Sequence, residues 1–302
     1  MWESAGFITG IILGSFAKAL ADRSLGKNSF WGRSYCPSCK AGLRWYDLFP
    51  VFSYLLLKGR CRYCHRKIGI EYLVVEVVMG VLIAFLFTQT FVNFKFEIFN
   101  FYSILNFKFL IFIFELILKI FFITVLTALF ITDIKKMLIP DRIVIPAIWI
   151  GLTSLFALTA YKIGYLYYYL SSNLLGRYLL PPNEYFGRHA LIISQPLLYG
   201  IGTGFGIAAF FYIIILLTRG KGMGGGDVKL GAFMGLMLGF PNGILALILS
   251  FLTGAVFSVM LIIAGKKHFG QVIPFGPFLV AGSLIALFWG NRIIDWYLQI
   301  GR

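Results

Sequence analysis

Long runs of apolar residues dominate this sequence and restrict what the chain can fold into. The run from Ile111 to Ile131 is interrupted only by Glu115 and Lys119, and a helix that spans a bilayer needs roughly 20 such residues. Apolar residues make up 59% of the chain and charged residues 13%, whereas a soluble domain carries about 25% charged residues. We therefore predict an all-α protein that crosses a membrane several times.

Eight candidate spans can be placed along the chain, of which the sixth is short for a full crossing. The first is interpreted as a retained span, because no basic region precedes it and no small-x-small cleavage site follows it. The spans lie near residues 5–21, 71–91, 109–132, 143–160, 197–218, 228–240, 243–264 and 277–297.

These spans predict three parts: a first transmembrane helix over 1–21, a polar domain over 22–70, and a transmembrane domain over 71–302. A second aqueous loop is expected over 161–196. The polar domain and the loops on its side of the membrane hold eighteen Lys and Arg residues, against seven on the opposite side. Because cytoplasmic loops collect Lys and Arg, the polar domain is predicted to be cytoplasmic and both termini to face outward. We expect the chain to lie in an inner (cytoplasmic) membrane.

The net charge of +15 is spread over many short loops. A nucleic-acid partner would require a clustered basic face with side chains that read or stack on bases, and no such cluster is seen. The charge therefore indicates membrane orientation, and nucleic-acid binding is not expected.

All four cysteines lie in the polar domain, as two C-x-x-C pairs, Cys36/Cys39 and Cys61/Cys64, with residues 40–60 between them. This spacing is typical of a closed four-thiolate zinc site. Disulfide bonds between these cysteines are disfavoured on a reducing cytoplasmic face. The alternative is a haem attached at Cys61–His65, which would leave the other pair unexplained. Four protein ligands leave no position for water, so the zinc is expected to serve folding rather than catalysis.

Two aspartates lie at the ends of predicted spans: Asp133 ends the third, and Asp227 begins the sixth. Carboxylates at the edge of the hydrocarbon are costly and by default indicate function. If the two meet in a site of low dielectric they share one proton, so that one carboxylate can accept a proton from water while the other acid donates to a carbonyl. Two spans separate the polar domain from Asp133 and two more separate Asp133 from Asp227, so all three are expected on one membrane face.

The residues around the two aspartates allow further interpretations. Gly224, Gly225 and Gly226 could adopt positive φ and would leave space for a peptide backbone beside Asp227. A phosphate-binding loop is the alternative for this glycine run, although neither a strand nor a Gly-Lys-Ser/Thr sequence accompanies it. Asp227 could equally be a helix cap, whereas Asp133 sits at a helix C-terminus, where capping explains it poorly. Asp141 is interpreted as a cap or interfacial charge, and Asp22, Asp47 and Asp295 as ordinary loop or interfacial charges.

Three segments together resemble the bacterial type IV prepilin peptidase family. Asp133–Arg142 and Gly222–Leu230 are similar to its two catalytic motifs, Cys36–Cys61 is similar to its cytoplasmic zinc-binding domain, and Pro274–Leu279 resembles the motif before its last span. The sequence departs from the family pattern at Lys18, where Asn is usual, and at Glu71, where Arg is usual.

This resemblance implies a GxGD-type aspartyl peptidase that removes the basic leader of type IV prepilins and of type II secretion pseudopilins. It also implies N-methylation of the new N-terminal residue with S-adenosylmethionine as methyl donor, although no glycine-rich nucleotide motif is seen. Two other classes remain open: a proton- or ion-coupled transporter that uses Asp133 and Asp227, and a zinc-dependent scaffold for pilus-assembly partners.

Overall fold

The structure, a computed structural model, describes residues 2–26, 32, 34–36, 38–97, 105–181, 184–220, 223–265 and 273–300. Residues that fall outside it include Pro37 in the first cysteine pair and Lys221 and Gly222 in the glycine run. The described chain is helical apart from turns, loops and two isolated β-bridges. Its helices are α1 (Trp2–Leu25), α2 (Phe52–Leu56), α3 (Glu71–Glu97), α4 (Leu105–Lys136), α5 (Asp141–Ser172), α6 (Glu184–Leu217), α7 (Gly225–Leu238), α8 (Asn242–Ile263) and α9 (Gly276–Ile300), with short 3-10 helices at Trp45–Leu48 and Gly176–Leu179.

Within the described residues, seven of these helices are long and apolar enough to cross a membrane: α1, α3, α4, α5, α6, α8 and α9. Each contains one of the predicted spans, which confirms the all-helical, multi-pass architecture. The predicted sixth span corresponds to α7, which has 14 residues and is therefore only about 21 Å long. Since the hydrocarbon core is about 30 Å thick, α7 is too short to cross it alone.

The predicted aqueous loop over 161–196 is wrong for most of its length. Helix α5 continues to Ser172, and α6 already begins at Glu184. Polar and aromatic residues end the apolar run at Tyr161 without ending the helix, because nothing in that sequence breaks the backbone hydrogen bonding. Even Pro196 lies inside α6.

The chain divides into two compact units, Met1–Lys136 and Met137–Arg302. The predicted three-part division follows the membrane crossings and stays a prediction, while the first unit forms because α1 packs chiefly on α3. Gly10 allows this packing: a Cβ there would lie 2.5 Å from the Met79 carbonyl oxygen and 2.7 Å from the Gly80 Cα. Small residues let helix backbones approach closely inside membranes.

In the second unit, α7 packs on α6 and also contacts α5, α8 and α9. Its backbone meets α6 at two glycines, since a Cβ on Gly235 would lie 2.7 Å from the Gly204 Cα. Gly204 therefore allows the close approach of α6 and α7. The short helix is thus held by its neighbours rather than by lipid, and its first turn carries Asp227.

Candidate active site and metal centre

The two cysteine pairs form two turns of the same design. In each, the amide of the residue after the second cysteine donates to the first cysteine's carbonyl, from Lys40 to Cys36 at 2.9 Å and from His65 to Cys61 at 3.0 Å. Lys40 and His65 both have positive φ, at 59° and 55°. Each turn is closed by a β-bridge, Tyr35 with Gly42 and Arg60 with Lys67. The repeated geometry turns both cysteines of each pair toward one point.

The four sulfur atoms all lie within 4.8 Å of one another, and Cys36 Sγ lies 3.9 Å from Cys64 Sγ. A tetrahedral zinc with Zn–S bonds of about 2.3 Å has sulfur atoms about 3.8 Å apart. The cysteines are not joined as disulfides. The cluster can therefore hold one metal ion, and its chemistry and spacing fit zinc.

The pKa values of two of the thiols are shifted in opposite directions. Burial opposes ionisation of Cys36, but backbone N–H groups of Cys39 and Ser38 and the neighbouring thiols lower its pKa to about 6. At Cys64 a backbone hydrogen bond from Arg66 favours the thiolate, yet burial and the other three cysteines raise the pKa to about 11. The first thiolate forms readily and a further one is opposed, so a bound cation is needed before all four ionise.

We expect purified wild-type protein to contain about one zinc per chain, held by four thiolates. Replacing Cys36 or Cys64 with Ser should remove most of the metal and lower the protein yield, because the small domain has little other core. Elemental analysis and yield are the measurements. Haem absorbance in the purified protein, or undiminished zinc in both variants, would contradict this assignment.

Asp47 was interpreted as an ordinary loop charge, and the structure corrects this. Its side chain is only 3% exposed and is bound by Arg62 Nε at 2.7 Å and the Tyr63 hydroxyl at 3.1 Å. Burial opposes ionisation, but these bonds and one from the Arg44 backbone N–H lower the pKa of the carboxyl. Asp47 thus ties the linker between the cysteine pairs to the second pair.

Asp133 lies in the last turns of α4 and is 5% exposed. Thr132 beside it is fully buried and donates its hydroxyl to the Leu129 carbonyl at 2.9 Å. The helix ends three residues later at Lys136. Asp133 therefore occupies a buried position near the C-terminal end of α4, which is the negative end of the helix dipole.

Asp227 lies in the first turn of α7 and is half-buried, with its N–H donating to the Gly224 carbonyl at 3.2 Å. The N-terminal end of a helix favours negative charge. The positive-φ role expected for the three glycines is not seen: Gly224 has φ −82°, and Gly225 and Gly226 are helical. Positive φ occurs earlier, at Gly220.

The three glycines differ in the space around them. A Cβ on Gly224 or Gly225 would meet nothing within 4 Å, whereas one on Gly226 would lie 2.9 Å from the Ile139 Cβ. Gly226 is therefore required for packing next to Asp227. Gly225 leaves an open surface there.

Asp141 is not the helix cap that was predicted; it forms an ion pair. The N-cap of α5 is Pro140, and Asp141 instead pairs with Lys229 of α7, Oδ1 to Nζ, at 2.5 Å. Lys229 follows Asp227 by two residues, so this pair joins the first turn of α5 to the first turn of α7. This ion pair could not be predicted from sequence spacing, because the two residues are 88 positions apart.

A comparable network holds the end of α4 in the first unit. Lys135 Nζ lies 3.0 Å from Asp22 Oδ1 and 3.0 Å from Glu71 Oε1. Lys18 is 1% exposed, and its Nζ contacts the same acids, Asp22 at 2.5 Å and Glu71 at 3.1 Å. Asp22 also accepts a hydrogen bond from Tyr72 at 3.1 Å. Asp22, interpreted as an ordinary interfacial charge, is thus the centre of a network that fixes the turn after Asp133.

Comparison with known proteins relates this arrangement to a family. Residues 8–90 match the bacterial peptidase A24 N-terminal domain, and residues 120–259 match the type IV leader peptidase family. A prepilin leader peptidase/N-methyltransferase of Bacillus subtilis is 30% identical over 295 residues, which cover 97% of each chain. The protein of that name from Aeromonas salmonicida is 32% identical over 88% of this chain and 75% of the relative. The chain belongs to the type IV leader peptidase family.

Other members of the type IV leader peptidase family are more distant. The protein of Legionella pneumophila that carries the same name is 28% identical over 90% of this chain and 77% of its own length. No solved structure was found to match the chain. The transporter interpretation gains no support from these matches.

The two departures from the family pattern are in direct contact. Lys18 and Glu71, which stand where Asn and Arg are usual, form one of the ion pairs described above. A basic residue of α1 therefore pairs with an acidic residue of α3, and the pair joins the two helices.

This ion pair predicts how the protein responds when Glu71 and Lys18 are replaced by Arg and Asn. Glu71→Arg alone would set a third cation beside Lys18 and Lys135 and should lower stability by roughly 1–3 kcal/mol, a range reduced for the partial exposure of Glu71. Adding Lys18→Asn should restore most of that loss. Thermal unfolding in detergent measures both. Glu184→Arg, which breaks a fully exposed pair with Arg188, is the control, and a double variant no more stable than Glu71→Arg would refute the coupling.

Proposed function

We propose that this membrane enzyme is an aspartic endopeptidase that removes the basic leader of type IV prepilins and type II secretion pseudopilins, with Asp133 and Asp227 as its catalytic pair. The curated relatives are named for leader peptidase and N-methyltransferase activities. The residue assignment is supported by the position of each acid near the end of a helix within the matched residues 120–259, and we infer from the span count that both lie on one membrane face. Two long helices, α5 and α6, separate them along the chain.

The helix ends assign a separate role to each acid. Asp133 is buried near the C-terminal end of α4, so it is the one that holds the shared proton; Asp227 at the N-terminal end of α7 is the ionised one. Asp227 then accepts a proton from water while the water oxygen bonds to the scissile carbonyl carbon, and Asp133 donates its proton to the carbonyl oxygen. Collapse of the tetrahedral intermediate breaks the C–N bond. The leaving amine takes the proton held by Asp227, and the carbonyl oxygen returns its proton to Asp133.

The membrane setting suits such a substrate. We infer that the zinc domain and both aspartates face the cytoplasm, in the inner membrane, because Lys and Arg are concentrated on that side. A prepilin whose apolar helix lies in the bilayer would then present its leader junction at the level of the aspartates. The open surface at Gly224 and Gly225 would admit the peptide backbone there.

The metal and the methyl donor would have different roles in this enzyme. Zinc would be held by Cys36, Cys39, Cys61 and Cys64, and a closed four-sulfur set leaves no position for water, so it would stabilise the domain rather than take part in cleavage. S-adenosylmethionine would supply the methyl group for the new N-terminal amine. Since the described residues contain no strand–glycine loop–helix unit, we assign none of them to this donor.

The test is cleavage of a purified prepilin by the purified enzyme in nanodiscs, with and without a zinc chelator. An aspartic peptidase should cleave in both cases, while metal loss lowers yield or methyl transfer. A protein that never cleaves but binds prepilin would point to the scaffold. One that moves protons across sealed vesicles without cleaving would point to the transporter.

A further inference from the structure

Residues 49–56 expose a cluster of large apolar side chains, which we call the apolar ridge. Phe49, Phe52, Leu55 and Leu56 are 55%, 62%, 61% and 80% exposed. Phe52, Leu55 and Leu56 share one face of α2 because they are spaced three and four residues apart. A water-facing domain rarely keeps such a cluster uncovered, so the ridge indicates a binding surface.

The ridge is anchored at a particular depth along α3. The Val51 N–H donates to Glu76 Oε2 at 2.8 Å, and Glu76 is 6% exposed. Glu76 lies five residues beyond Glu71, hence about 7.5 Å further along the helix than the charged network around Glu71. Val51 also adopts φ 62°, which is unfavourable for a β-branched residue, so the surrounding contacts hold the backbone there.

The outer surface of α3 at this depth is apolar. Val74, Val77 and Val78, on either side of Glu76, are 50%, 37% and 49% exposed, and they belong to a candidate membrane span. The ridge therefore begins level with exposed apolar side chains of a candidate membrane span. An interfacial helix buries its apolar face about 5–10 Å into the headgroup and acyl boundary, which is the same range.

Basic side chains follow the ridge immediately. An open groove of about 540 Å³ is lined by two leucines, three cations and two residues of the second cysteine turn: Leu56, Leu57, Lys58, Arg60, Arg62, Cys61 and His65. Apolar and cationic side chains thus line the same groove. That combination fits an amphiphile with an anionic head, and the described part of residues 22–70 contains only Asp22 and Asp47 as acids.

We propose that the apolar ridge inserts into the interface of the phospholipid bilayer, with Lys58 and Arg60 against lipid phosphates. The domain is joined at both ends to membrane-spanning helices, α1 and α3, so a bilayer surface lies beside it permanently. A peptide or a second copy would cover the apolar side chains but would not account for the depth set by Glu76. Insertion would hold the metal-binding domain flat on the membrane.

Photo-crosslinking in the full-length protein tests this. A photoreactive amino acid replaces Phe52 or Leu56, and the protein is placed in nanodiscs of equal phosphatidylcholine and phosphatidylglycerol, with prepilin added in one arm. Tyr35, which is 44% exposed and lies outside both the ridge and the groove, is the control, and Val78 on α3 is the positive control. Because all four side chains are exposed, the probes should not disturb folding.

Lipid adducts at positions 52 and 56 should match those at 78 and exceed those at 35 several-fold, with or without prepilin. Replacing Lys58 and Arg60 with Gln should lower the share of phosphatidylglycerol among the adducts at position 56. The proposal is overturned if the main adduct is prepilin or a second copy, or if position 56 labels lipid no better than position 35 while position 78 labels normally. None of these outcomes depends on whether the enzyme cleaves.

Discussion

Purified Asp133→Asn and Asp227→Asn enzymes will each fold, insert into membranes and fail to cleave prepilin. One shared proton requires two carboxyls, and an amide can neither accept the proton from water nor donate to the carbonyl oxygen. General acid–base catalysis contributes about 10²–10⁴-fold to such reactions, so each variant should lose at least that much of kcat. The measurement is leader cleavage in nanodiscs, with yield and helicity as folding controls.

Asp141→Asn is the matched control, because it makes the same chemical change a few residues from Asp133. Its ion pair with Lys229 joins two exposed side chains, 58% and 39% exposed, and pairs of this kind contribute about 0–1 kcal/mol. Asn can still accept a hydrogen bond from Lys229, so most activity should remain. Near wild-type turnover in either Asp133→Asn or Asp227→Asn would refute the catalytic pair.

The pH dependence of cleavage offers a check on the proton assignment within this pair. If Asp133 holds the proton and Asp227 is ionised, activity should fall both when Asp227 is protonated at low pH and when Asp133 is ionised at high pH.

Features that depend on local composition were predictable from the sequence. The apolar runs located seven long helices to within a few residues at most ends, because a run of about 20 apolar residues can span the bilayer and must form a helix there to satisfy its backbone hydrogen bonds. The C-x-x-C spacing likewise predicted that four sulfur atoms meet, since the turn between each pair is a local structure. The ends of α5 and α6 were missed because polarity marks where a membrane ends and not where a helix ends.

Features that depend on pairs of distant residues were not predictable. Nothing in a single sequence relates Lys18 to Glu71, Asp141 to Lys229 or Glu76 to Val51. Each of these contacts gives its residues a structural role that the sequence did not indicate. The glycines show the same limit. Gly224, Gly225 and Gly226 look equivalent in sequence, and only the position of Ile139 separates the third from the other two.

That separation predicts which glycine substitutions damage the enzyme through its structure. Gly226→Val would force a branched side chain against the Ile139 Cβ, which already lies 2.9 Å from a Cβ at that position. Overpacking of this kind costs about 1–3 kcal/mol or displaces the backbone. The displaced backbone is the first turn of α7, so Asp227 would move with it, and displacements near 1 Å can cost about 10²-fold in rate. We expect cleavage to fall by a comparable factor while both aspartates remain.

Two further variants separate packing from substrate access. Gly225→Val meets no neighbour at its Cβ, so the protein should fold normally, and any loss of cleavage would report exclusion of the peptide backbone beside Asp227. Gly204→Ala would set its Cβ 2.8 Å from the Ala232 carbonyl oxygen; it should lower thermal stability and yield more than the activity of the molecules that fold. Leader cleavage per folded enzyme, with thermal unfolding measured alongside, distinguishes these cases. A Gly226→Val enzyme that folds and cleaves normally would mean that the glycine run only links α6 to α7 and has no part in positioning Asp227.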